Sequence, residues 1–239
     1  MPRSSTKPRR PRRPRQAANG RAGSDTTSSA LAATLFYLSR HRAAHAALAA
    51  ELRAAFPTPA AIAAGPALRS CALLRGAVSE ALRLSPPLSG APWRVVRAGG
   101  ALIDGQLVPA GTTVGACVYA LHHGAAFAAP WRFAPERWIA GPGNPQSAVE
   151  EAARAWAPFL VGPRMCAARN MAMAELMLAV AHIVFCLEFR VAEGEEGRRG
   201  EGRLGMGVGR ERDDEFQLYS HFVTVAKEGP VLQFRKRAD

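Results

Sequence analysis

The sequence predicts a mainly helical fold with small antiparallel β-sheets, an α+β architecture. Residues 43–56 are alanine-rich, and Leu48, Leu52 and Phe56 recur at i, i+4 and i+8 to form one apolar stripe. Residues 73–84 make a second amphipathic segment, stopped by Ser85-Pro86-Pro87. Between Arg94 and Tyr119 the pattern changes to short apolar runs separated by turn signals, of which Asp104-Gly105 is a strong two-residue hairpin signal.

In chain order, residues 1–21 alternate proline and arginine. They hold Lys7 and seven arginines with no acid, +8 of the formal net charge of +12, which leaves an ordinary +4. Proline removes hydrogen-bond donors and the arginines repel one another, so this stretch is expected to be disordered. A helix is expected from about Ser24, with Asp25, Thr26 and Thr27 as a simple N-cap cluster on the local reading. Pro57 and Pro59 end the alanine-rich helix.

Glu80 and Arg83 stand at i, i+3, a pair worth only about 0.2–0.5 kcal/mol on an exposed helix face. Strands are expected at residues 94–96, 101–103, 107–108 and 113–119. Residues 122–157, rich in Pro, Gly and aromatic side chains, read as long ordered coil that supports a site. A core helix hydrophobic nearly all round is expected from just after Cys166 to about Phe185. The Gly/Glu/Arg-rich residues 192–214 are expected to be an unstructured loop. Two strand-like runs, 222–226 and 231–234, flank a Glu228-Gly229-Pro230 turn.

Cys71, Cys117, Cys166 and Cys186 are widely spaced with no C-x-x-C pair, which suggests neither a zinc site nor a disulfide framework and makes a reducing compartment the default. The best candidate for a membrane span, residues 171–185, is short and carries Glu175 and His182, and no apolar segment follows the basic N-terminus. As written, the chain is therefore expected to be cytoplasmic, without a membrane span, and monomeric. The basic run reads as a solvated tail rather than a nucleic-acid arm. Cys166 ends a loop bent by Gly162 and Pro163 and precedes an apolar helix, where backbone N–H groups and Arg164 would stabilise a thiolate. On local grounds alone it is either a metal ligand or a buried, inert cysteine.

Four ordered motifs make the sequence resemble the C-terminal half of the cytochrome P-450 family, the haem-thiolate monooxygenases. They are Ala22-Gly23-Ser24-Asp25-Thr26-Thr27, Glu80-Ala81-Leu82-Arg83, Phe133-Ala134-Pro135-Glu136-Arg137-Trp138, and the stretch 159–172 with Phe159, Gly162, Arg164, Cys166 and Ala172 in register. Within the last, Ala168 replaces a glycine and Met165 a smaller residue. The resemblance spans residues 22–239 and is strongest to fungal secondary-metabolism members. It implies that Cys166 is the axial thiolate of a haem b iron, with Phe159 beside the sulfur, Gly162 and Ala168 against the cofactor, and Arg164 and Arg94 on its propionates. Asp25 and Thr26 would relay protons, and Glu80, Arg83 and Arg137 would form a buried salt-bridged triad.

The implied function is insertion of one atom of O2 into a small organic substrate, with electrons from NADPH relayed by a flavoprotein reductase. Relatives are typically held at the endoplasmic reticulum by an N-terminal anchor. Pro8, Pro11 and Pro14 speak against extending the distal helix several turns before Ala22, so residues 1–21 read as foreign to the fold and the chain as a truncated form lacking its N-terminal half. The alternatives are a non-enzymatic remnant and a polyanion-binding protein that uses its arginine-rich arm.

Overall fold

The computed structural model describes residues 16–221, 224–226 and 228–237. The arginine-rich arm up to Arg15, and Phe222 and Val223 of the expected strand 222–226, lie outside the described residues. The element order is α1 (Gln16–Arg40), α2 (Arg42–Ala55), α3 (Pro66–Ser70), α4 (Ala72–Leu84), β1 (Arg94–Val95), β2 (Ala101–Ile103), β3 (Gln106–Val108), β4 (Thr113–Val114) and α5 (Val118–His122). It continues with α6 (Gln146–Ala155), α7 (Arg169–Cys186), β5 (Leu187–Val191), α8 (Gly194–Gly197), β6 (Tyr219–His221), β7 (Thr224–Ala226) and β8 (Leu232–Lys236). Short 3-10 turns cover Pro59–Ala61, Pro135–Trp138 and Gly162–Arg164. Helices packed around α4 and, among the described residues, four two-stranded antiparallel pairs make the α+β class.

The helix expected near Ser24 already runs from Gln16, the first described residue, so the boundary placed at Ala22 falls inside α1. No proline follows Pro14 until Pro57, and Gly20 and Gly23 cost only about 1 kcal/mol each, too little to stop a helix that docks on α4 and α7. Asp25, Thr26 and Thr27 are consequently interior helix residues and not an N-cap. Ala30, Ala33, Phe36, Tyr37 and Leu38 of α1 are buried against Leu74, Val78 and Ala81 of α4 and Leu176, Val180 and Val184 of α7, in one core. The Leu48, Leu52 and Phe56 stripe of α2 joins the same core. Glu51 of α2 accepts the N–H groups of Leu73 (2.9 Å) and Leu74 (3.0 Å), capping the start of α4 with a charge of the favourable sign.

β2 and β3 pair across Asp104 (φ 48°) and Gly105 (φ 75°), the two left-handed residues that a tight hairpin turn demands. β1 pairs with β4, which ends at Val114 and not at Tyr119. The N–H groups of Val118 and Tyr119 bond to Gly90 and Ser89 carbonyls, and the chain turns into α5. Residues 146–155, expected as coil, form α6, because this run has no Pro or Gly and is rich in helix formers. The loop 192–214 is ordered. Arg40 bonds to Glu201 (2.7 Å) and to the Gly197 carbonyl (2.9 Å), and Gly202 and Arg203 bond to Arg212 and Arg210 across it. The last two strand runs belong to separate pairs, β7 with β6 and β8 with β5. By length and composition α7 is long and apolar enough to cross a membrane, since it extends beyond the run 171–185 at both ends, but it packs against α1, α2 and α4 as a core helix does.

An ionic node closes the core. Arg83 meets Glu80 through Nε (3.0 Å) and Nη2 (2.8 Å), both side chains being fully buried, and Arg137 Nε joins Oε1 at 3.1 Å. The Ala134 N–H (3.2 Å) and Trp138 Nε1 (3.0 Å) complete the carboxylate's shell. The remaining guanidinium N–H groups point at carbonyls: Arg83 at His122, Pro130 and Arg132, Arg137 at Ala128 and Ala129. A Cβ on Gly76 would lie 2.4 Å from the Pro135 carbonyl oxygen, so glycine is what lets the Pro135–Trp138 turn approach α4 closely enough for this node.

Glu80→Ala leaves two buried guanidinium groups without a counter-charge, and we expect it to lower the unfolding free energy by about 3–5 kcal/mol, read from urea titration followed by circular dichroism. An unchanged midpoint would remove the node from the list of folding constraints. Acid has a second effect. Burial holds His122 and His123 down to a pKa of about 4. In the unfolded chain both bind a proton below about 6.5. Unfolding therefore takes up protons between these values, and stability falls with falling pH by at most about 1.4 kcal/mol per pH unit for each ring. Burial raises the Glu215 carboxyl and opposes this at the acid end. Titrations at pH 7 and pH 5 should show the loss, and His123→Gln should reduce it.

Candidate functional site

Cys166 sits at the mouth of α7 in a loop shaped by its own backbone. The Leu160 N–H bonds to the Ala157 carbonyl (3.0 Å), Gly162 takes φ 72° and opens the 3-10 turn Gly162–Arg164, and the Met165 N–H returns to the Gly162 carbonyl (3.0 Å). The Cys166 N–H then closes the loop on the Phe159 carbonyl at 2.8 Å. Leu160 is also left-handed, with φ 61°, a conformation that costs an L residue about 1–2 kcal/mol and marks how tightly the loop is held. α7 follows at once: the Arg169 N–H bonds to the Cys166 carbonyl (3.3 Å) and Ala172 to Ala168 (2.9 Å).

Residues 161–171 are exposed without interruption, Cys166 among them, so this cysteine is not buried. The protein face of the loop is packed. Phe159 meets Trp156 edge-on with ring centres 5.9 Å apart, Trp156 meets Trp138 at 5.8 Å, and the Arg169 guanidinium lies 5.6 Å over the Trp156 ring. Trp156 Nε1 donates to the Ser79 carbonyl of α4 (3.0 Å). His122 Nε2 accepts the Ala157 N–H (2.9 Å), and its Nδ1 reaches the Arg83 carbonyl (3.1 Å). A cavity of about 250 Å³ lies against the loop, lined by Arg154, Trp156, Phe159, Gly162, Met165 and Arg169 among others.

Two groups of sequence-derived residues are thus brought together, Phe159 with Cys166 and Glu80 with Arg83 and Arg137. Arg164 is exposed on the loop, with no ion pair or hydrogen bond of its side chain among the described residues. Arg94 turns back on the carbonyls of Pro92 (3.2 Å) and Trp93 (2.8 Å). Asp25 and Thr26 lie on α1, where Thr26 Oγ1 donates to the Gly23 carbonyl (3.3 Å) and the Asp25 carbonyl accepts the hydroxyls of Ser28 (3.1 Å) and Ser29 (2.7 Å). Such side-chain bonds compete with the helix ladder and locally loosen it. Ala168 is the α7 N-cap at φ −91°, a conformation that makes no demand for glycine.

Sequence reasoning named Ala134 and Trp138 only as motif members and gave no supporting role to them, to His122 or to Trp156. Their partners stand 35 to 77 residues away, so no local pattern exposes them; the one visible signal is the density of aromatic residues in the stretch read as coil.

A family model described as Cytochrome P450 matches residues 20–212. The chain is 48% identical over 219 residues to the cytochrome P450 monooxygenase AKT7 of Alternaria alternata, covering 90% of this chain and 42% of that protein. It is 44% identical over 217 residues to a cytochrome P450 monooxygenase of Gibberella zeae (90% and 49%) and 44% identical over 220 residues to the cytochrome P450 monooxygenase apf8 of Gibberella fujikuroi (90% and 58%). It spans about half the length of the curated relatives it matches. With the family match running from α1 through the cysteine loop and α7, the chain belongs to the cytochrome P450 family.

Proposed function

We propose that this chain is the thiolate-bearing part of a haem monooxygenase acting on a small organic substrate. The observation that carries the reading is the Cys166 thiol, exposed on a loop that its own N–H closes onto Phe159 and that is packed from behind by Trp156. Among the described residues no three His, Cys, Asp or Glu side chains gather. The loop therefore offers one sulfur donor, which suits a metal that brings its other donors with it in a macrocycle, as haem does.

Cys166 Sγ would hold the iron as a thiolate. Arg164, exposed two residues earlier, would bind a propionate through charge-assisted hydrogen bonds. Gly162 and Ala168 present little bulk on the exposed side, and Phe159 supports the loop from the other. A thiolate-held haem iron supplies activation of O2 and insertion of one oxygen atom into a C–H bond. Asp25 and Thr26 would move protons on α1, Thr26 through the hydroxyl hydrogen now directed at the Gly23 carbonyl. Electrons would come from NADPH through a flavoprotein reductase. Arg94 is the weakest member of the set, because its guanidinium is engaged by the Pro92 and Trp93 carbonyls just before its strand.

Adding haem to the expressed chain and recording the reduced, CO-bound spectrum should give the shifted Soret band of thiolate ligation, and Cys166→Ser should abolish it; a chain with Cys166 intact and no such band would overturn the reading. Arg164→Ala should weaken haem binding by about 10- to 100-fold, the scale of one charge-assisted hydrogen bond, in a fluorescence-quenching titration with haem.

A further inference from the structure

We infer that His122 is a positioning residue of the cysteine loop, a rigid link that transmits the arrangement of the Glu80–Arg83–Arg137 node to Ala157 and from there to Cys166. The inference rests on the reading of Cys166 as the haem ligand, but its geometry is complete without haem. His122 is fully buried. The Ala157 N–H can only donate, so Nε2 must carry a lone pair. Nδ1 must then carry the hydrogen, and it faces the Arg83 carbonyl, which can only accept. One neutral tautomer satisfies both bonds.

The bond to Arg83 is reciprocated, since Arg83 Nη1 donates to the His122 carbonyl at 2.8 Å. Side chain and backbone of the two residues are thereby crossed, and the imidazole cannot shift without disturbing a guanidinium that also holds Glu80. The Arg83 carbonyl is one of the last four of α4, which lack a partner within the helix, so His122 also finishes the helix end. From Ala157 the path continues through the backbone: the Leu160 N–H returns to the Ala157 carbonyl, and the Phe159 carbonyl between them receives the Cys166 N–H. The ring faces Arg83 of α4, the adjoining His123 and the edge of Phe127. Burial among these keeps the imidazole neutral at neutral pH, as the acceptor role of Nε2 requires.

The test uses the full chain and begins without haem. Hydrogen exchange of the Ala157 and Cys166 amides is followed by NMR in the unsubstituted chain, His122→Phe and His122→Gln, with the Trp138 indole N–H as reporter of the node. His122→Phe should lower protection at Ala157 by about 10-fold, the scale of one lost hydrogen bond, and protection at Cys166 should fall with it. His122→Gln, which keeps a carbonyl acceptor for Ala157, should recover part of both. Unchanged Ala157 protection in His122→Phe overturns the link, and loosening at Ala157 with Cys166 unaffected overturns the positioning role. If His122→Phe also exposes the Trp138 indole, the comparison passes to His122→Gln, where an intact node with Ala157 protection lowered and Cys166 protection unchanged would overturn the role, and both amides falling together would support it. With haem added, the thiolate-type band should weaken in the same order. Its absence in the unsubstituted chain would count against the haem reading alone, because amide exchange decides the link.

Discussion

The structure depends on a charge imbalance sealed inside it. One carboxylate, Glu80, faces two guanidinium groups, Arg83 and Arg137, with exposure of 0%, 0% and 9%, so the node carries one surplus positive charge away from solvent. An uncompensated buried ion costs several kcal/mol, and the compensation here comes from backbone dipoles. Five carbonyls, of His122, Ala128, Ala129, Pro130 and Arg132, take the guanidinium hydrogens left over from Glu80. Residues 122–137 cannot relax independently of one another under that requirement. Ala129 accepts φ 46°, a strained value for alanine, in the bend that supplies two of these oxygens. Irregular backbone is thus held as firmly as a helix, and a site can be hung on it.

α4 serves as the common wall. It receives the Pro135–Trp138 turn at Gly76 and, one turn further along, gives the Ser79 carbonyl to Trp156. Past its C-terminal end, Ser85 closes a three-membered ring of hydrogen bonds with α1 and the C-terminal segment. The Phe216 N–H donates to the Tyr37 hydroxyl (3.2 Å), Tyr37 donates to Ser85 Oγ (2.7 Å), and Ser85 donates to the Phe216 carbonyl (3.1 Å). Burial pushes the Tyr37 phenol far above its ordinary range, so it stays protonated and the ring keeps its sense. Helix α1, the cysteine loop and the segment around Phe216 are all referenced to the same thirteen-residue helix or its end.

What could be read from the sequence was what local pattern determines. The stripe of α2, the limits of α4, the run of α7 and the Asp104-Gly105 hairpin each follow from periodicity, propensity or turn chemistry within a dozen residues. Apart from α6, which its own composition favours, the errors lie where a distant partner decides. Gly20 and Gly23 do not break α1 because α4 and α7 hold that helix, and residues 192–214 are ordered because Arg40, more than 150 residues earlier, reaches Glu201 and Gly197. The site divides the same way. Glu80 and Arg83 viewed on their own helix are an unremarkable i, i+3 pair; only the motif resemblance joined Arg137 to them, and neither route pointed to His122 or Trp156, whose roles exist only once the chain has folded.

The two small residues of the cysteine loop answer to different constraints, and the structure separates them. Gly162 stands at φ 72° with open space around its missing Cβ, so its identity is set by backbone conformation and by nothing it touches. Ala168 stands at φ −91° with an exposed side chain, so its backbone dihedral makes no demand for glycine. Position 168 is the N-cap of α7, where glycine is favoured over alanine, so part of any preference for glycine there belongs to the helix end. Contact with the haem proposed for the exposed side of the loop would add to it. A replacement at Gly162 acts on the loop itself, whereas one at Ala168 acts on the helix end and would act on the proposed cofactor, although the two belong to one motif.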